Sequence, residues 1–157
     1  MKMKREIVSK KKKNAGALTV EHWMDEPEAH DYSSAFDYLS LVVEEPIARA
    51  TTNSLERGSI SYREAKDLLR SSGLELLPKK NFHVLLDLKK VAEGKKLSPV
   101  LLVRGSLAKG AKLTIADGYH RICASYYVQE DATIPCRIVD FSIPNARQRT
   151  TSTAATK

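Results

Sequence analysis

The chain has 157 residues, 42% of them hydrophobic and 29% charged, which suits one soluble domain with a real core and flanking extensions. No run approaches the ~18 apolar residues of a membrane span, and the N-terminal lysines are not followed by the apolar stretch of a secretory signal, so no membrane partner and a cytoplasmic location are expected. The net charge of +7 is confined to the ends.

Residues 1–13 carry seven Lys or Arg against one Glu, residues 145–157 add Arg147, Arg149 and Lys157, and the part between is left slightly acidic. The basic body of a nucleic-acid-binding fold is therefore not expected there. Residues 1–14 and 143–157 read as disordered tails. Within the first, Lys10, Lys11, Lys12 and Lys13 would attract DNA or another polyanion in a salt-sensitive, sequence-independent way. The two cysteines, Cys123 and Cys136, fit neither a disulfide framework nor a zinc site and read as small buried hydrophobes.

Residues 15–73 read as a mostly helical segment. Ala15 to Val20 is a short apolar patch, and Trp23, in an acidic stretch, is expected to anchor packing rather than stack a ligand. Ser34 with Asp37 marks a helix start, with Phe36, Leu39 and Val43 at helical spacing. Pro46 disfavours helix before it, so that helix should stop or kink near Glu45, and Pro46 then opens a second helix from Ile47 to Leu55. After a turn at Gly58, Ser61-Tyr-Arg-Glu64 has the spacing of a capping box for a helix carrying Ala65, Leu68 and Leu69 and ending at Gly73.

The core is expected over residues 74–142. Leu74 to Pro78 reads as a short strand stopped by proline. Val84, Leu88 and Val91 make the stripe of a helix from Phe82 to Ala92, closed by Gly94. Pro99 to Val103 lacks alternation and should be a strand buried on both faces. Gly105 to Ala111 is a hairpin loop leading to a strand at Leu113–Ala116. Asp117 and Gly118 form a tight turn into a helix from Tyr119 to Val128, and Ile134 to Val139 closes a small mixed sheet. Short strands alternating with helices make the fold class α+β, with some α/β character.

The junction at Asp117-Gly-Tyr-His-Arg121 is the candidate site. His120 and Arg121 stand in a first helical turn, where cations oppose the helix dipole unless an anion shares the spot. A phosphate would recruit the free N–H groups and the guanidinium together. The alternative is an outward Arg and a His bonded to the preceding loop. Asp117 is a candidate metal ligand or general base, or equally a cap that accepts the helix's own N–H groups. Glu44 and Glu45 are further acids that the N-terminal segment could bring near.

Ser98-Pro-Val-Leu-Leu-Val103, Leu113-Thr-Ile-Ala-Asp-Gly-Tyr-His-Arg121 and Ile134-Pro-Cys-Arg-Ile-Val139, in this order and spacing, resemble the ParB/sulfiredoxin superfamily over roughly residues 76–140. The resemblance implies nucleotide phosphates held by Gly118, His120 and Arg121. Sulfiredoxins place a catalytic cysteine just before the His-Arg pair, where this chain has Tyr119, so repair of peroxiredoxins is not expected. Asp117-Gly-Tyr-His-Arg121 is locally similar to the Asp-Gly-His-His-Arg of ParB-like free-serine kinases. Those enzymes keep a basic glutamate in a Leu-x-Pro-His-Glu context; here Leu76-Leu-Pro-Lys-Lys80 offers Lys79 and Lys80 as phosphate contacts instead. Partition proteins follow this core with a helix-turn-helix domain, whereas here 17 residues follow Asp140.

The expectation is thus a ParB-like nucleoside-triphosphate-binding domain, with phosphotransfer or hydrolysis through Asp117 and His120 and Mg²⁺ arriving with the nucleotide. The alternatives are a DNA-binding or nuclease-like protein working through its tails, and a non-catalytic accessory protein.

Overall fold

Residues 18–144 are described by the computed structural model, and within them the apolar runs and helical stripes form five helices and four strands. In chain order these are α1 (Ala29–Leu39), α2 (Glu45–Arg57), β1 (Ser61–Glu64), α3 (Ala65–Ser72), α4 (Phe82–Ala92), β2 (Val100–Val103), β3 (Thr114–Asp117), α5 (Tyr119–Val128) and β4 (Thr133–Val139). The strands make one mixed sheet in the order β1-β4-β2-β3, parallel between β2 and β4 and antiparallel at both edges. The fold is a small α+β fold. No helix among the described residues is long and apolar enough to cross a membrane.

Strand β2 explains the layering. All four of its residues are buried, and successive side chains point to opposite faces. Val100 and Leu102 join one apolar cluster with residues of α3, α4 and α5, while Leu101 and Val103 join a second with Ala35, Leu39, Ala48 and Leu55 of α1 and α2. Helices therefore cover both faces, as a strand without alternation requires. Trp23 is a packing anchor in the first cluster, and its flanking backbone pairs with Leu97 through Met24 N–H to Leu97 O (2.8 Å) and Leu97 N–H to His22 O (2.8 Å). Cys123 and Cys136 are both buried.

Three local expectations are corrected. Ser61-Tyr-Arg-Glu64 is not a capping box but strand β1, with Ser61 opposite Cys136 and Glu64 opposite Thr133. The first N–H groups of α3 need no side-chain cap, because Ala65 donates to Ala132 O and Lys66 to Glu130 O, both at 2.9 Å. Leu74–Pro78 is not a strand. Its carbonyls are taken by side chains instead, with Tyr119 donating to Glu75 O and Tyr127 to Leu77 O, while Leu76 and Leu77 pack on the core. The first helix begins at Ala29 rather than Ser34; Ser34 sits inside it and bonds back to His30 O at 3.1 Å. That helix ends at Leu39, and α2 then opens with Pro46 in its first turn.

The segments read separately as 15–73 and 74–142 share the sheet and both cores. Strand β1 is an edge of the sheet, and α1 lies against β3. That contact is what builds the site.

Candidate functional site at the β3–α5 turn

The junction turns where the sequence places it. Gly118 has φ +106°, a conformation that costs a side-chain-bearing residue dearly, and a Cβ there would lie 2.5 Å from Val100 Cγ1 and 3.1 Å from Arg121 Nη2. Helix α5 opens on Gly118 with no side-chain cap and no acid in its first turn. Asp117 therefore does not cap the helix. Its carboxylate faces Arg121, four residues on.

Arg121 is the hub of a network that joins three distant pieces of chain. Its guanidinium donates to Asp117 Oδ2, to Ser98 O (3.0 Å) and to Asp31 Oδ2 (3.3 Å). Asp31, on α1 and almost fully buried, also accepts from the Ser98 hydroxyl and from Glu28 N–H at 3.2 Å. Arg121 was read as an open phosphate contact; the structure turns its fork toward two carboxylates and leaves its side chain 12% exposed.

Two carboxylates share this one guanidinium, which sets the local electrostatics. Burial pushes the Asp117 carboxyl up to about 6; Arg121 opposes the rise and the nearby Asp31 carboxylate adds to it. His120 is shifted the other way: burial lowers it, and the neighbouring His83 and Arg121 lower it further against the pull of Asp87. Burial also raises the thiols of Cys123 and Cys136, which makes them poor nucleophiles.

Above the network lies a cleft of about 810 Å³ between α1, α4 and the β3–α5 turn. Asp117, Gly118, His120 and Arg121 all border it, together with Glu28, His30 and Asp31 from α1 and its approach, and His83, Asp87, Lys90, Lys95 and Lys96 from α4 and the loop after it. The imidazoles of His120 and His83 lie 4.7 Å apart, centroid to centroid. Lys90 pairs with Asp87 at 3.5 Å and Lys95 with Glu93 at 2.9 Å, whereas Lys96 has no ion-pair partner among the described residues. Ligand atoms of Glu28, His30 and Asp31 lie within 4.8 Å of one another.

Four of the site residues read from the sequence are thus brought together, and others are not. Lys79 and Lys80 are exposed in the turn before Asn81, the N-cap of α4, and do not line the cleft. Glu44 and Glu45 stand at the start of α2, also away from it. Lys10 to Lys13 lie outside the described residues. The sequence reading missed Asp31, Ser98, His83 and the lysines Lys90, Lys95 and Lys96. Of these only Asp31 carried a local signal, standing three residues after Glu28 at capping-box spacing.

No protein-family model, curated protein or solved structure matches the chain.

Proposed function

We propose that the cleft binds the phosphates of a nucleoside triphosphate. Gly118 and the first-turn N–H groups of α5 would meet the phosphate oxygens, with His120, Lys90, Lys95 and Lys96 around them. One observation carries this reading: a ten-residue helix opens without a side-chain cap into a cleft bordered by three lysines and two neighbouring imidazoles. Free N–H groups and the positive end of the helix dipole favour an anion there.

Arg121 has an indirect part in this arrangement. Unpaired, Asp31 and Asp117 would repel a phosphate from the cleft floor, and the guanidinium between them offsets about half of that charge. The reading agrees with what the resemblance to the ParB/sulfiredoxin superfamily implies for Gly118 and His120. Among the carboxylates that border the cleft, Asp31 and Asp117 are bonded to Arg121. Asp87 is paired with Lys90 at 3.5 Å, which leaves Glu28 as the oxygen donor that would meet Mg²⁺ carried in by the triphosphate. In hydrolysis or phosphoryl transfer the oxygen of an attacking water or hydroxyl would bond to the terminal phosphorus as the nucleoside diphosphate leaves, and Asp117, pushed up to about 6 by burial, or His120, lowered by burial, would accept the proton.

The test is thermal stability in the presence of ATP, CTP, GTP and tripolyphosphate, with and without Mg²⁺. A ligand at a hundred times its dissociation constant stabilises by about 2.7 kcal/mol, a shift of several degrees for a domain of this size. Lys96→Ala and His120→Ala should each reduce the shift. Absence of a shift with every triphosphate would contradict the reading.

A further inference from the structure

Beside the cleft, four aromatic or imidazole rings stand in an unbroken row. Phe82 packs edge-on to His83 with centroids 5.4 Å apart, His83 lies 4.7 Å from His120, and His120 lies 5.9 Å from Tyr119. The outermost ring, Phe82, is 68% exposed at the first position of α4. A large apolar ring held that far out of the core gains little for folding, and it touches His83, one of the two imidazoles that border the cleft.

Cations stand near these rings. Lys90 and Lys96 border the cleft together with His83 and His120, Lys90 in a pair with Asp87. Lys79 and Lys80 are exposed in the turn that leads through Asn81 into Phe82, and neither has an ion-pair partner among the described residues. A free mononucleotide presents its phosphates at one end of its base and has no use for lysines beyond the stacking surface. A polynucleotide places phosphate on both sides of each base, and ring faces open to bases with cations nearby are the arrangement that holds a single strand.

We propose that the ligand of this cleft is a single-stranded polynucleotide, with one phosphate in the cleft, bases against Phe82, His83 and His120, and the next backbone phosphates near Lys79 and Lys80. The proposal rests on the phosphate-binding reading of the cleft and names its substrate class. It also gives Lys79 and Lys80 a place that the cleft alone does not.

The test is fluorescence anisotropy of labelled dT₁₀ and rU₁₀ with the full chain, alongside the triphosphate melting shift, for the wild type and for Phe82→Ala, Phe82→Tyr and the pair Lys79→Ala/Lys80→Ala. Phe82 is mostly exposed, so its variants should melt as the wild type does. The decamers are expected to bind more tightly than a triphosphate. Phe82→Ala should weaken them roughly 5- to 100-fold, with affinity restored by Phe82→Tyr, while the triphosphate shift stays unchanged. The lysine pair should lower the salt dependence of decamer binding by about 1.4 in logarithmic slope, at ~0.7 per phosphate contact on a single strand. A preference between dT₁₀ and rU₁₀ would name the sugar. Decamer affinity unchanged by Phe82→Ala, beside a normal triphosphate shift, would overturn the stacking proposal alone. Loss of both signals in the wild type would overturn the cleft reading with it.

Discussion

Arg121 is the one guanidinium shared by two carboxylates held side by side. Replacing it by Ala leaves Asp117 without a counter-charge and Asp31 with only the exposed His30 beside it at 3.3 Å, and breaking such a buried pairing costs about 3–5 kcal/mol. Arg121→Ala should therefore lower the urea midpoint clearly, and a midpoint equal to that of the wild type would show the network to be dispensable. The sequence alone points to Arg121 as a phosphate contact and not as a structural hub. The difference is Asp31, 90 residues away in the chain; nothing local to the Asp117–Arg121 turn announces it. Asp117 makes a second prediction at this scale. Its carboxyl titrates near 3.8 when unfolded and near 6 in the fold, so the native state holds an extra proton between those values. The contribution to stability is fully present below about pH 4 and is lost as pH rises through about 6. Asp117→Asn should flatten that part of the stability profile, measured by denaturant titration at successive pH values. A wild-type profile that climbs relative to the variant over the same window would contradict the assignment.

At the level of elements, the strand-to-helix turn was the most legible part of the sequence, because a glycine between a β-branched run and a helical stripe leaves few alternatives. The structure adds the reason that Gly118 in particular is needed, combining its φ of +106° with contact against Val100. Gly118→Ala is expected to cost about 1–3 kcal/mol from backbone strain alone, with further loss from the clash, and should lower the melting temperature by several degrees. An unaltered melting temperature would mean that the turn relaxes freely. Strand β1 was misread because Ser61 and Glu64 have the spacing of a capping box, and local spacing does not show that β4 lies alongside. Helix α4 is legible with its correct limits from its apolar stripe and Gly94, and the structure adds the cap at its start: Asn81 Oδ1 accepts from His83 N–H at 3.0 Å and from Val84 N–H at 3.3 Å. Arg137 was not legible at all. It is buried beneath α2, donating to the carbonyls of Leu55 (3.1 Å) and Glu56 (2.6 Å) and to Tyr32 Oη (2.7 Å), and so satisfies the last turn of that helix from a strand some 80 residues later.

Over the whole molecule, the site exists because helices pack on both faces of one sheet. Helix α1 lies against β3 on one side and supplies Asp31, while α4 lies against α5 on the other and supplies His83 and Lys90. The strands β2, β3 and β4 and the burial of β2 on both faces follow from the apolar runs and are legible in the sequence, whereas edge strand β1 is not. The convergence of α1 and α4 over the β3–α5 turn is not legible either, because it depends on which faces the helices bury. The charge pattern is also clearer at this scale. The described body is not basic overall, and the cleft is bordered by Lys90, Lys95, Lys96 and Arg121 alongside Glu28, Asp31, Asp87 and Asp117, so the proposed phosphate binding would rest on local placement rather than on net charge. The most direct measurement of the central claim is a two-dimensional amide NMR titration of the isotope-labelled chain with Mg²⁺ and ATP. The account predicts that the largest shifts fall on Gly118, Tyr119, His120 and the residues around His83 and Lys96, and that tripolyphosphate reproduces those at Gly118 to His120. Shifts centred elsewhere on the fold, or none at saturating nucleotide, would contradict it.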